Sequence, residues 1–139
     1  MIYSRITGLG FYVPETVVTN HDLEKYMDTS DAWIRERSGI ETRRFFTEGK
    51  DTVSKMGARA AEIAMQRAGV TPEEIDFIVF ATLSPDYNFP GSGVLLQREL
   101  PFRNIGALDV RTQCTGFIYG LSIADQFIKS GMYKNILVH

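Results

Sequence analysis

Two apolar rhythms run through this chain. Asp76 to Thr82 (DFIVFAT) is an almost continuous apolar run, the pattern of a strand buried on both faces. Ile105 to Val110 and Asn135 to Val138 read as further buried strands. Between these runs the spacing changes. Met56, Ala60, Ile63, Ala64 and Ala68 recur three or four residues apart, which predicts a helix opened by Thr52 or Ser54 and stopped by Gly69. Phe117, Ile118, Leu121, Ala124 and Ile128 predict another helix, ended by Gly131. Gly93 to Leu100 reads as a shorter helix, and Thr71-Pro72-Glu73-Glu74 as a tight connection with proline at a helix start.

The first third is less regular. Ile2 to Phe11 is rich in β-branched and aromatic residues and predicts a first strand. Thr19-Asn20 is a cap signal for a short helix over His21 to Met27, and Asp28 to Asp31 opens a second helix that carries Trp33 and ends at Ser38-Gly39. Arg43 to Thr52 is polar and reads as a loop. The alternation of strands and helices predicts an α/β fold with a mostly parallel sheet covered by helices. Its crossovers should be right-handed. Residues 1–139 read as one α/β domain, with no repeat or interdomain linker. The last run, ending at His139, reads as a core strand cut short.

Composition narrows the function classes. Fifteen Lys and Arg against seventeen Asp and Glu leave a net charge of -2, and the cations are scattered. This argues against a nucleic-acid or anionic-membrane surface. The longest apolar-rich run, Ile75 to Leu83, is too short for a membrane-spanning helix. The N-terminus MIYSRITGLG lacks a secretory pattern. A single cysteine allows no internal disulfide and fits a reducing, cytoplasmic setting.

That cysteine, Cys114, lies between the strand ending at Val110 and the helix beginning near Phe117. Ligands of open α/β sheets bind at the carboxyl ends of strands. Unpaired N–H groups at a helix N-terminus stabilise a thiolate, the nucleophilic form. The small neighbours Thr115 and Gly116 leave room beside the sulfur. Cys114 is therefore a candidate for covalent catalysis, against the alternative of a small buried hydrophobe. No second cysteine serves a dithiol pair, and one Cys with two His gives no metal cluster.

Trp33 has two readings as well. It packs a short helix onto the sheet, with Arg35 and Arg37 solvated, or it stacks a nucleotide base while a guanidinium meets phosphate. Phe89-Pro90-Gly91 by itself reads as an ordinary turn with a packed aromatic.

The segment ALDVRTQCTGFIYGLSIADQFIKSG, around Cys114, closely resembles the active-site segment of the β-ketoacyl-acyl-carrier-protein synthase III family. These are thiolase-fold condensing enzymes that start bacterial fatty-acid chains. ITGLGFYVPETVVTNHDLEKYMDTSDAWIRERSGIETR, DTVSKMGARAAEIAM and DFIVFATLSPDYNFPGSG are similar to further family segments in the same order. The resemblance implies a thiolase-like α/β fold, of which residues 1–139 are the N-terminal half of a pseudo-duplicated pair. It implies that Cys114 takes an acyl group, acetyl above all, from an acyl-CoA. Condensation with malonyl-acyl-carrier protein would then give 3-oxoacyl-acyl-carrier protein. Coenzyme A enters as substrate, with no cofactor and no metal.

The resemblance also assigns Thr29, Trp33 and Arg37 to the coenzyme A nucleotide. Phe89 would shape the acyl pocket across the interface of a full-length homodimer. It implies no nucleic-acid or membrane partner. The family's catalytic histidine and asparagine have no match among these residues, so this stretch alone should not complete the condensation. His139 replaces an apolar residue in a strand that the family continues. Asp86, Tyr87, Asn88 and the Arg111-Thr112-Gln113 run depart from the best-studied branch and leave the primer open. Other readings are a relative with a different primer or acceptor, a non-catalytic acyl-CoA-binding or interaction module, and a redox-reactive thiol protein.

Overall fold

The computed structural model describes residues 2–139, which form two compact units. The larger comprises residues 2–12 and 52–139, and the smaller residues 13–51.

The larger unit is built on a three-stranded parallel sheet. Its strands are β3 (Phe77–Ala81), β4 (Gly106–Val110) and β5 (Ile136–Val138), in the order β4-β3-β5. Phe77 pairs with Gly106 on one side and with Ile136 on the other. β3 is central, and this is why its sequence is apolar throughout: Ile78, Val79 and Phe80 are all fully buried. Side chains alternate faces along a strand. Ile78 and Phe80 meet Ala61, Met65, Leu96 and Leu137 in the core cluster. These include residues of α3 (Val53–Ala68) and α4 (Ser92–Glu99). Val79 faces the opposite way, toward α5 (Gly116–Lys129). Each fully buried large side chain contributes about 1.5–3 kcal/mol. The α5 face is extended by an aromatic cluster in which Phe77 stacks on Tyr133 at 4.8 Å and meets the edge of Phe127 at 5.3 Å.

The helix stops are where the spacing predicts them. Thr52 caps α3 by accepting from the Lys55 N–H, and Gly69 ends it in the left-handed conformation. Pro72–Glu74 forms a single 3-10 turn. His139 follows β5, with its ring 4.5 Å from that of Phe80, and burial lowers its pKa.

The predicted first strand is not one. Residues 2–14 form no helix or strand. Residues 8–10 lie along α3 instead. Gly8 and Gly10 come so close to it that a Cβ on either would sit 2.1 Å from the carbonyl oxygen of Ala64 or Ala60. The Arg67 guanidinium, on α3, donates to the Leu9 carbonyl at 2.8 Å.

The smaller unit corrects the sequence reading twice. Residues of the expected polar loop form β2 (Thr42–Phe45), antiparallel to β1 (Thr16–Thr19), with Thr19 opposite Thr42. Two adjacent arginines mask the strand pattern of TRRF, and Val17-Val18 is too short a run to stand out. The first helix, α1, covers only Asn20–Leu23. Its cap is Thr19, which exchanges hydrogen bonds with Asp22 in a capping box. The Thr19 hydroxyl, then the Lys25 ammonium, holds the Asp22 carboxyl far below the usual carboxylate range. The second helix, α2 (Asp31–Ser38), has Ser30 as its cap and Gly39 as its stop, as the sequence predicts.

Candidate active site

β4 delivers Cys114 to its position. β4 runs parallel to β3, with Val110 opposite Ala81, and the Thr82 N–H donates to the Val110 carbonyl at 3.1 Å. Loops after β3 and β4 therefore leave the sheet at the same edge. The chain turns at residues 113–115 and enters α5 at Gly116. Gly116, Gly120 and Ala124 are spaced four apart and buried, so this stripe of small residues lies against the sheet. A Cβ on Gly116 would be 3.2 Å from the Ala81 Cβ, and one on Gly120 would be 2.9 Å from Val138 Cγ1. The helix start is thus held against the end of β3, with Cys114 exposed beside it. The alternative of a small buried hydrophobe does not match this exposure.

The turn offers donors. Thr115 occupies the cap position of α5 but makes no side-chain hydrogen bond to the first-turn N–H groups. An uncapped helix start presents N–H groups to an acceptor, and its dipole favours negative charge. Two residues before the sulfur, Thr112 Oγ1 is enclosed with no hydrogen-bond partner.

Phe89 occupies the loop between β3 and α4, at that same edge. It is 89% exposed, unlike a packed turn aromatic, and its peptide bond to Pro90 is cis. The loop is tied down by polar groups that the sequence alone did not single out as ties. The Asp86 carboxylate accepts from the Val53 and Ser54 N–H groups that open α3, and the Asp86 N–H donates to the buried Ser92 hydroxyl. Asp109, on β4, accepts from the Ser92 N–H at 2.7 Å and the Gly93 N–H at 2.8 Å. Arg111 donates to the Asn88 carbonyl at 2.9 Å and to its side-chain oxygen at 3.3 Å. A carboxylate inside the apolar run before Cys114 was the one available signal for Asp109.

Thr29, Trp33 and Arg37 belong to the smaller unit. The structure brings two of them together: the Arg37 guanidinium carbon lies 4.8 Å from the centroid of the Trp33 ring, a cation–π distance set by their separation of four on α2. Trp33 is 53% exposed and α2 buries no residue, so the tryptophan does not pack this helix into a core. Thr29 is half-buried just before the Ser30 cap, and no hydrogen bond joins it to the pair among the described residues. What fixes α2 is a residue the sequence reading took only for a cap. Asn20 is 1% exposed. Its amide donates to Asp31 and to the Ile40 carbonyl, both at 2.8 Å, and its oxygen accepts from Arg43 at 2.6 Å. The Asn20 amide, then Arg35, lowers the Asp31 pKa.

Among the described residues no three His, Cys, Asp or Glu cluster as metal ligands, and no helix is long and apolar enough to cross a membrane.

Residues 108–139 match the family profile of 3-oxoacyl-[acyl-carrier-protein] synthase III. Over 97% of its length the chain is 47% identical to the β-ketoacyl-[acyl-carrier-protein] synthase III of Aquifex aeolicus. Over 96% it is 49% identical to synthase III 1 of Bacillus anthracis. It spans 43% of each relative. The crystal structure of the Aquifex aeolicus enzyme superposes with a TM-score of 0.91 over 96% of this chain and 43% of that one. A priming β-ketosynthase from the R1128 polyketide pathway, 36% identical, gives 0.92 over 99% of this chain and 41% of that one. The parallel sheet, its covering helices and the exposed cysteine between β4 and α5 thus accompany close similarity, along nearly the whole chain, to β-ketoacyl-[acyl-carrier-protein] synthase III proteins, of whose length the chain spans less than half.

Proposed function

We propose that these residues form the nucleophile-bearing, N-terminal domain of a type II fatty-acid initiating synthase. Cys114 is its acyl-accepting group. The observation that carries this reading is the exposed Cys114 beside the uncapped start of α5.

The acylation step follows from that geometry. The Cys114 thiolate attacks the carbonyl carbon of an acyl-CoA thioester, acetyl-CoA in the first instance. The carbonyl oxygen becomes an oxyanion, for which helix-start N–H groups are suited donors. As the oxyanion collapses, the bond to the coenzyme A sulfur breaks, coenzyme A leaves as thiolate and takes a proton from solvent, and the acyl group stays on Cys114. In the second step, malonyl-acyl-carrier protein loses carbon dioxide and the released electron pair forms an enolate. Its carbon attacks the Cys114 thioester, releasing the Cys114 thiolate and 3-oxoacyl-acyl-carrier protein. Enolate formation needs stabilising donors. The family's histidine and asparagine have no match here, so we assign only acylation to these residues by themselves.

Trp33 and Arg37 form a flat cationic surface suited to an adenine and its phosphates, and we assign them, with Thr29, to coenzyme A. We assign Phe89 to the acyl pocket across a homodimer interface; its exposure supports that role.

The deciding experiment is an intact mass after incubation with acetyl-CoA, with peptide mapping of any added group. One acetyl group on Cys114 is expected. Binding without a mass change would favour an acyl-CoA-binding module, and oxidation of the sulfur alone a redox thiol. Carbon dioxide release from malonyl-acyl-carrier protein, at the rate of a complete synthase, by these residues alone would overturn the division of labour.

A further inference from the structure

The turn that presents Phe89 is clamped from both sides by the strand that leads into Cys114. On the side before Phe89, Arg111 donates to the carbonyl and side-chain oxygens of Asn88. On the side after it, the Asp109 carboxylate takes the N–H groups of Ser92 and Gly93. Asp109 lies in β4 and Arg111 is the first residue beyond it, so both ties come from the end of one strand. The turn between them is built for this contact. Gly91 has φ +108°, and a Cβ there would lie 2.7 Å from Asp109 Oδ2.

The two ties differ in kind. Asp109 acts on the first N–H groups of α4, a general way to satisfy a helix start. Arg111 caps nothing: it spends its guanidinium on one residue of a loop, and that residue precedes an aromatic left almost wholly in solvent. A side chain three residues upstream of the nucleophile thereby fixes the path of the Phe89 turn.

We propose that Arg111 is a positioning residue for acyl-chain selection. Through Asn88 it fixes the Phe89 turn and so, by the Phe89 that reaches across the homodimer interface, sets the length of acyl group that fits the pocket on the far side of that interface. This rests on the acyl-accepting role of Cys114. The shared chemistry of the ligand is an unbranched acyl chain whose carbonyl is delivered at the Cys114 of one protomer and whose tail passes the Phe89 turn that reaches in across the homodimer interface.

The test uses the full-length protein that carries these residues, with Arg111→Ala, Arg111→Lys, Asn88→Ala and the Arg111→Ala/Asn88→Ala pair. Acylation of Cys114 is followed by intact mass with acetyl-, butyryl-, hexanoyl- and octanoyl-CoA. In parallel, N-methyl-, N-ethyl- and N-octylmaleimide label the same sulfur with no dependence on synthase chemistry. Hydrogen exchange reports residues 84–91. Loss of Arg111 should shift the long-to-short ratio roughly two- to tenfold in both series, the factor for one or two ordinary hydrogen bonds, and should speed exchange in the loop. Arg111→Lys, which keeps one donor for the Asn88 carbonyl, should restore part of the ratio. The double variant should add little to either single one. An unchanged ratio in both series, with the wild-type sulfur acylated, would overturn the inference and leave the acyl-accepting role standing. A wild-type sulfur that no acyl-CoA acylates would remove that role, while the maleimide ratios would still judge the clamp. Should Arg111→Ala fail to fold, Asn88→Ala removes the same bonds from the loop side and carries the same two outcomes.

Discussion

The carboxylate of Asp109 lies against Gly91: a Cβ at position 91 would fall 2.7 Å from Oδ2 and 2.9 Å from the carboxyl carbon. The same carboxylate accepts the N–H groups of Ser92 and Gly93. One aspartate thus closes the start of α4 and requires a glycine just before it.

Asp109→Ala should lower stability by about 1–2 kcal/mol, the usual cost of losing a helix N-cap acceptor. Gly91→Ala should be at least as costly, because it combines a backbone angle that L residues rarely adopt with a collision against Asp109. Combining Gly91→Ala with Asp109→Ala should relieve the collision but not the backbone strain. Urea midpoints of the three variants would test this; strictly additive losses would count against the contact.

Gly120→Ala separates helix propensity from packing. Alanine is the better helix former by about 1 kcal/mol. Here its methyl would lie 2.9 Å from Val138 Cγ1 and 3.4 Å from Val79 Cγ1. Overpacking of this kind costs about 1–3 kcal/mol, so the variant should be neutral to destabilised by about 2 kcal/mol. Gly120→Ala with Val138→Ala should recover part of the loss. A variant more stable than wild type in thermal unfolding would show that α5 lies farther from the sheet.

Trp33→Ala in the full-length protein should weaken coenzyme A binding by about 1–3 kcal/mol, by analogy with base stacking on aromatic side chains elsewhere. It should leave the melting temperature almost unchanged, since Trp33 is half in solvent and α2 buries no residue. Calorimetric titration with coenzyme A would read the first effect. Unchanged affinity would remove Trp33 from the site.

Acid should loosen the larger unit in two windows. The His139 ring packs at a tilt against Phe80, and burial lowers its pKa. A lowered histidine pKa means that the unfolded chain binds the proton more readily. Stability is therefore complete above the unfolded value of about 6.5 and falls as pH drops below it. His139→Phe should flatten that part of the profile. Asp76 acts lower. Burial alone would raise its pKa, but the N–H groups of Asn135 and Lys134 and the Arg103 guanidinium outweigh it and lower the value. Its contribution is present above the unfolded value of about 3.9 and is lost as pH falls through the lowered folded value. Asp76→Asn should cost about 1.5–3 kcal/mol at neutral pH, the scale of hydrogen bonds to a charged group, and much less below that folded value. Stability measured across pH 2–8 for both variants would locate the windows.

Much of the larger unit was legible along the chain. The run DFIVFAT, the helical spacings from Met56 to Ala68 and from Phe117 to Ile128, and the glycines after them are local signals, each complete within one element. The position of Cys114 between a strand and a helix was legible for the same reason. Other features depend on partners distant in the chain. Asp86 finds the start of α3 thirty-two and thirty-three residues back, and Arg111 finds Asn88 twenty-three residues back. Asn20 reads as a cap until Asp31, Ile40 and Arg43 converge on it. Residues 2–11 carry a strand composition, yet they join no sheet, and Gly8 and Gly10 lie against the backbone of α3 instead, a contact that no local signal reveals. The sequence by itself determined which elements form and where the sulfur lies among them, because propensity, capping and apolar period act over a few residues. Only the tertiary structure decided which polar groups hold the Phe89 turn and α2 in place, because a buried hydrogen bond is defined by where two separate elements meet.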